Sequence, residues 1–231
     1  MLTLAFDTTS KTAAVALLKD KEIIYDTIVN TGLNHSEIIL PAIDHALRRE
    51  RIKITDIDLF ACTIGPGSFT GVRIGVSTIK GLMMATSKPA VGISSLAALA
   101  LNVGNSKKLI CSILDAGRGQ VYTAYFRYNK SGILEQFGTE KAIKPQNLLS
   151  DIEEEVVCIG EGAVKYEDII RKIKNKSLIL DTALPQYIKG SAVGILGIDK
   201  FARNELLKVE ECVPAYLRAA DARPKKALFE N

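Results

Sequence analysis

Short apolar runs alternate with helical spacings along this chain. Residues 2–6 are almost wholly apolar and stop at the polar turn Asp7-Thr8-Thr9-Ser10. Residues 13–18 form a second such run, and Lys19-Asp20-Lys21 turns the chain into a third over 22–29, so three strands joined by tight turns are predicted. The spacing then changes. After Ser36 and Glu37, the residues Ile39, Ile43, Ala46 and Leu47 recur at helical intervals, with Pro41 placed in or near the first turn, where its missing N–H matters little. Residues 57–64 are a further apolar run, broken by Gly65-Pro66-Gly67-Ser68; residues 69–86 read as a long helix that Pro89 ends. A short strand over 90–93 leads into a helix capped by Ser94 or Ser95 and running to about residue 101. The polar, turn-rich stretch 103–108 divides an N-terminal lobe, 1–104, from a smaller lobe, 105–231. In the second lobe 109–114, 121–128 and 156–159 read as strands, and a helix starts near Ala163. A last helix over 191–204 is in a position to pack back on the first lobe, and the chain from Pro214 onward reads as extended.

One pattern occurs twice. Leu4-Ala5-Phe6-Asp7-Thr8-Thr9-Ser10 followed by an apolar run is matched by Ser112-Ile113-Leu114-Asp115-Ala116-Gly117-Arg118-Gly119 followed by 121–126. The match is short, and leaves two readings: chance, or two related lobes facing each other across a cleft. An Asp at the end of a strand, followed by hydroxyl or glycine residues, can orient metal-bound water while backbone N–H groups cradle phosphate. Asp7, Thr8 and Thr9 suit one side of such a site and Asp115 with Gly117 the other; Gly160 and Gly162, at a strand-to-helix turn, are candidates beside them. The plainer reading of each turn is an Asp bonded to its own neighbouring backbone.

The segment Gly65-Pro66-Gly67-Ser68-Phe69-Thr70-Gly71 fails three common tests. A P-loop needs Lys where Val72 stands, a dinucleotide fingerprint needs its last glycine one residue earlier, and a nucleophile elbow needs a centred serine. What remains is a helix start whose face carries Gly71, Gly75 and Thr78, beside an apolar stripe of Val72, Val76, Ile79 and Met83. Such a face admits close approach of another helix, either within the chain or from a partner.

Composition narrows the picture. A chain of 231 residues with 47% hydrophobic and 24% charged positions can bury a proper core and is not a mainly disordered polymer. Its net charge of +4 is dispersed, with basic runs at 171–174 and 223–226 that suit a solvated surface or a nucleic-acid patch. Cys62, Cys111, Cys158 and Cys212 form no Cys-x-x-Cys pair and read as reduced core residues; His35 and His45 complete no metal site. No basic leader and no long apolar segment precede Asp7, so the expectation is a cytoplasmic protein with no membrane span.

Four pieces together resemble the TsaB (YeaZ) family: Asp7-Thr8-Thr9-Ser10; His35-Ser36-Glu37 with Leu40-Pro41; residues 65–75; and Pro214-Ala215-Tyr216-Leu217-Arg218. The Asp115-Ala116-Gly117 turn is similar too, although the family more often has Arg where Gly117 stands. The resemblance implies an actin/hexokinase-like α/β fold of two lobes, each a mixed sheet flanked by helices. It also implies a role in forming N6-threonylcarbamoyladenosine on tRNA, beside a paralogous TsaD-like transferase and a TsaE-like ATPase, with tRNA met only through the complex. Isolated members pair as homodimers through the same helices. By that resemblance the interface comprises His35, Ile39 and Ile43 on one helix and Gly71, Val72, Gly75, Val76, Ile79 and Met83 on the other.

The paralogous transferase carries a metal-binding pair of histidines where this chain has Ser95 and Leu99, neither of which replaces an imidazole. The expectation is therefore a subunit without catalysis or a required cofactor, retaining at most weak ATP affinity. Two other readings are an ATP-dependent small-molecule kinase of the same fold, which needs an Asp base beside its phosphate turns, and a peptidase, for which no zinc motif or nucleophile dyad can be assembled.

Overall fold

The N-terminal apolar run is the centre of a sheet. In the computed structural model, which describes residues 1–30, 34–150, 152–173 and 178–217, strand β1 (Leu2–Asp7) pairs antiparallel with β2 (Ala13–Lys19) and parallel with β4 (Leu59–Gly65). β3 (Glu22–Val29) extends one edge and β5 (Ala90–Ser94) the other, giving the order β3-β2-β1-β4-β5. Because β1, β2 and β4 are covered on both faces, they read as unbroken apolar runs rather than alternating ones. The second sheet repeats this plan. β6 (Leu109–Gly117) pairs antiparallel with β7 (Gln120–Tyr128), β7 with β8 (Leu134–Ile143), and β6 lies parallel to β9 (Val156–Ile159), which carries β10 (Leu178–Leu180). Its order, β10-β9-β6-β7-β8, is that of the first sheet under exchange of equivalent strands. The duplicated Asp-bearing turns are thus the β1–β2 and β6–β7 connections of two related lobes. The protein has the actin/hexokinase-like fold.

Helices α1 (His35–Arg49) and α2 (Phe69–Thr86) cover one face of the first sheet. Helix α6 (Gly190–Ala202), which follows the second sheet in sequence, covers the other. Its glycines allow the approach: a Cβ on Gly190 would lie 2.7 Å from the backbone N of Ala16, and one on Gly194 would lie 2.3 Å from Leu18. Lys189 gives α6 no side-chain cap; Asp26 of β3 accepts from the Gly190 and Ser191 N–H groups instead. Helix α3 (Ser95–Ala100) lies between the sheets, and one buried cluster runs from Ala5 and Val91 through Leu96 and Leu99 to Leu114 and Phe126. Short helices α4 (Glu161–Lys165) and α5 (Glu167–Ile170) pack on the far face of the second sheet with Leu148 and Ile170. All four cysteines are free and buried. Among the described residues no helix is long and apolar enough to cross a membrane.

Several local expectations change. α1 begins at His35, so Pro41 is its seventh residue rather than part of the first turn; Pro41 and Glu37 are both exposed, where water can serve the carbonyl that the missing N–H leaves. β8 carries no apolar alternation because it is an edge strand, mostly exposed and rich in Glu, Gln, Thr and Lys. Arg118 and Gly119, with φ of 51° and 73°, form the two-residue β6–β7 turn, and Gly117 beside them has φ of 70°. Lys174, Arg218 and the basic run 223–226 lie outside the described residues.

The glycines of α2 differ in use. A Cβ on Gly71 would sit 1.9 Å from the Thr8 carbonyl oxygen, whereas one on Gly81 meets nothing within 4 Å. Gly71→Ala is therefore expected to destabilise the fold by about 1–3 kcal/mol through overpacking. Gly81→Ala should be neutral or stabilising by up to about 1 kcal/mol through helix propensity. Urea denaturation of the two variants measures the contrast, and equal midpoints would contradict it.

Candidate functional site

The four motif segments, distant in sequence, meet at one junction on the first lobe. The β1–β2 turn receives the start of α2: the Ser68 N–H donates to the Thr9 carbonyl at 2.7 Å, and the Thr8 hydroxyl donates to the Gly71 carbonyl at 2.7 Å. Ser68 caps the helix, its Oγ accepting from the Gly71 N–H at 3.3 Å. His35, at the first turn of α1, donates through Nε2 to the Ser10 carbonyl at 2.7 Å in the tautomer that satisfies this bond. The segment 214–217 runs beside β4, with the Ala215 N–H donating to the Ile64 carbonyl at 2.8 Å. The Gly65–Pro66 peptide is cis, and a Cβ on Gly65 would lie 2.5 Å from the Ala215 carbonyl oxygen. On the outside, Phe69 stacks on Tyr216 at 4.9 Å, the Arg73 guanidinium lies 3.8 Å from the Phe69 centroid, and Arg73 Nε donates to the Tyr216 hydroxyl at 2.8 Å.

Asp7 is wholly buried within the junction. Its Oδ1 accepts from the Thr9 N–H at 3.1 Å, the Thr9 hydroxyl at 2.6 Å and the Thr63 hydroxyl of β4. Burial pushes its pKa above the ordinary carboxylate value, against the opposing bonds from Thr63 and Thr9. The carboxylate thus braces its own turn, and Thr8 and Thr9 are buried with it.

Across the cleft the second turn is arranged differently. Asp115 Oδ1 accepts from the Gly117 N–H at 3.1 Å and the Tyr166 hydroxyl at 3.3 Å, while Oδ2 pairs with the Lys165 ammonium at 2.6 Å. Burial opposes ionisation of Asp115, but Lys165 and the Gly117 N–H outweigh it and hold the carboxyl below its usual value. Glu161 faces the same space; burial raises its pKa, and Lys11 from the first lobe partly offsets this. These groups, with Thr182 and Gln186, line a cavity of about 510 Å³. Gln186 is spent on structure, accepting from the Gly160 N–H at 2.8 Å and donating to the carbonyls of Asp181 and Leu184. Gly160 and Gly162 serve close packing, since a Cβ on either would come within 3.0 Å of the backbone of Ile113 or Leu114. Among the described residues no three His, Cys, Asp or Glu side chains gather as a metal site.

The residues assigned to a partner interface turn inward. Ile39, Ile43, Val72, Val76, Ile79 and Met83 are buried in one core cluster, and His35 is half-buried over the turn. Gly71 and Gly75 abut Thr8 and Cys62 of the same chain. The reason is geometric: the two stripes of α2 rest on the strand end and the sheet, leaving Thr70, Arg73, Ser77, Gly81 and Met84 outward. Ser95 and Leu99 are likewise core residues. Sequence reasoning missed Thr63, Lys165, Gln186 and the Phe69–Tyr216 stack. Of these, only the four-residue spacing of Phe69 and Arg73 offered a signal, marking a shared helix face.

Residues 29–225 match the family model described as "TsaD: tRNA N6-adenosine threonylcarbamoyltransferase". The chain is 33% identical to the tRNA threonylcarbamoyladenosine biosynthesis protein TsaB of Bacillus subtilis (strain 168), over 97% of each chain. It is 30% identical to the protein of the same name from Escherichia coli (strain K12), over 94% of this chain and 95% of that one. Among solved structures, YeaZ from Pseudomonas aeruginosa superposes with a TM-score of 0.80 at 24% identity, covering 94% of this chain and 99% of that chain.

Asp7 supplies a pH signature. Its proton is held more tightly in the folded than in the unfolded state, so its contribution to stability falls as pH rises from the ordinary carboxylate range through its raised pKa. Asp7→Asn removes this dependence, and the variant should gain on the parent between pH 4 and pH 7. Thermal melting at the two pH values reads the difference; parallel shifts would show that the carboxylate is not strained by burial.

Proposed function

The chain belongs to the TsaB family of tRNA threonylcarbamoyladenosine biosynthesis proteins, and from that premise we propose that it is the non-catalytic partner of a TsaD-like transferase. The observation that carries this reading is the engagement of both Asp-bearing turns. Asp7 is buried and bonded to Thr9 and Thr63, and Asp115 is neutralised by Lys165 at 2.6 Å. A kinase of this fold would need those carboxylates turned to magnesium-bound phosphate. The buried Ser95 and Leu99 support the same reading, as neither supplies a transition-metal ligand.

Without chemistry of its own, the chain acts through a surface. The proposed pairing face is the outward face of α2, with Arg73, Ser77, Gly81 and Met84, together with the exposed Leu40 of the neighbouring α1. Met84 and Leu40 are 69% and 55% exposed, and Gly81 leaves open space for a second helix. The transferase uses this face in the working complex, a TsaE-like ATPase joins it, and the isolated chain pairs with its own copy there.

Two measurements test the proposal. Purified chain mixed with threonylcarbamoyl-adenylate and tRNA should give no modified adenosine until a TsaD-family transferase is added; transfer by the chain alone would overturn the non-catalytic reading. Gly81→Arg should abolish pairing by light scattering while leaving the melting temperature within a few degrees of the parent. An unchanged dimer would move the interface elsewhere.

A further inference from the structure

Among the described residues Arg73 has no acidic partner, and its side chain is held in a fixed position. Its guanidinium lies 3.8 Å from the Phe69 centroid, and its Nε is anchored by the Tyr216 hydroxyl at 2.8 Å, from a residue 143 positions away. Phe69 is itself fixed by stacking on Tyr216, with 24° between the rings. No carboxylate among the described residues approaches the guanidinium, and its terminal nitrogens have no described partner. An arginine normally loses rotamer freedom when it binds an acid; here packing has already restricted it. Aromatic surface lies beside the charge: Phe69 and Tyr216 are 39% and 40% exposed, and Val213 and Leu217, in the same segment as Tyr216, are 60% and 37% exposed. A fixed Arg against two exposed aromatic rings has the composition of an interface hot spot, where neighbouring apolar surface excludes water from the charged contact.

The location specifies the partner. Phe69, Arg73, Ser77 and Gly81 follow one another at four-residue intervals along α2, so the cation lies at the end of the pairing face described above. A nucleic-acid backbone is drawn by several cations along a track, whereas this is one fork fixed against aromatic rings, which suits a single planar carboxylate held bidentately. Resting on the pairing reading above, we infer that Arg73 receives an Asp or Glu carboxylate of the paired transferase-family subunit. The segment 214–217, which supplies the anchor, is then part of the partner-binding face.

Calorimetric titration with the TsaD-family transferase from the same cell, at low and high salt, separates the possibilities. The parent chain must bind; absence of binding would sink the pairing reading itself. Given binding, Arg73→Met should weaken it about tenfold or more and flatten its salt dependence. Tyr216→Phe, which keeps the stack and removes only the anchor, should fall between, and Arg73→Lys should recover only part of the loss. Both positions are exposed, and unchanged melting temperatures would show that the fold is retained; if Arg73→Met melts lower, Tyr216→Phe decides. Parent-like affinity and salt dependence in Arg73→Met would overturn the inference while leaving the pairing intact. So would loss of tRNA retention on filters with transferase affinity unchanged, which would make the cation an RNA contact.

Discussion

The contact between the start of α2 and the β1–β2 turn governs the first lobe. Helix and turn approach so closely that Gly71 has no room for a single methyl group, and Thr8 converts that proximity into a hydrogen bond to the helix backbone. The sequence Gly-Pro-Gly-Ser at 65–68 is thereby accounted for by packing: it brings a helix end against a strand end and caps it with Ser68. The buried Asp7 follows from the same contact. With helix and turn closed over it, its carboxylate has Thr9, Thr63 and, at 3.5 Å, Ser10 as its hydrogen-bond partners among the described residues. The carboxylate is thereby committed to holding the turn together.

The division of labour between the two lobes is electrostatic. They share strand order and an Asp at the same place in it, yet one carboxylate is withdrawn from solvent and the other is neutralised by a neighbouring lysine. Both arrangements keep the carboxylate from a ligand in the cleft, by burial under its own turn in one lobe and by ion pairing in the other. Glu161 and Lys11 remain, facing each other from opposite sides. The lobes are joined elsewhere by the Ser94 hydroxyl donating to Glu140 of β8, while the same oxygen accepts from the Ala97 N–H at the start of α3.

Much of the fold was legible in the chain because the relevant strands are buried on both faces. Continuous apolar runs such as 13–18 have few alternatives, and the Asp-bearing turns punctuate them clearly. β8 was not legible, since an edge strand carrying Glu135, Gln136, Glu140 and Lys141 has no buried face to write an alternation. The site was legible as a set of motifs but not as geometry. A row of small residues on a helix says that something comes close without saying what. Here Gly71 and Gly75 meet the chain's own turn and sheet, and the residues beside them join the core. The Lys165–Asp115 pair joins residues 50 apart in sequence, with no local pattern to announce it.

The order of synthesis matters for a molecule wired in this way. One face of the N-terminal sheet is covered by α6, whose last residue is Ala202, and the strip beside β4 is completed only by Ala215. While the ribosome is still making the second lobe, Ala5, Leu18 and Ala61 of the first lack the cover that Gly194 and Gly197 of α6 later bring. The first lobe therefore leaves the exit tunnel as an incomplete body, sticky on one surface, and reaches its final form only when the residues up to Ala215 have emerged. Truncation near the carboxyl end would injure the beginning of this protein more than its end.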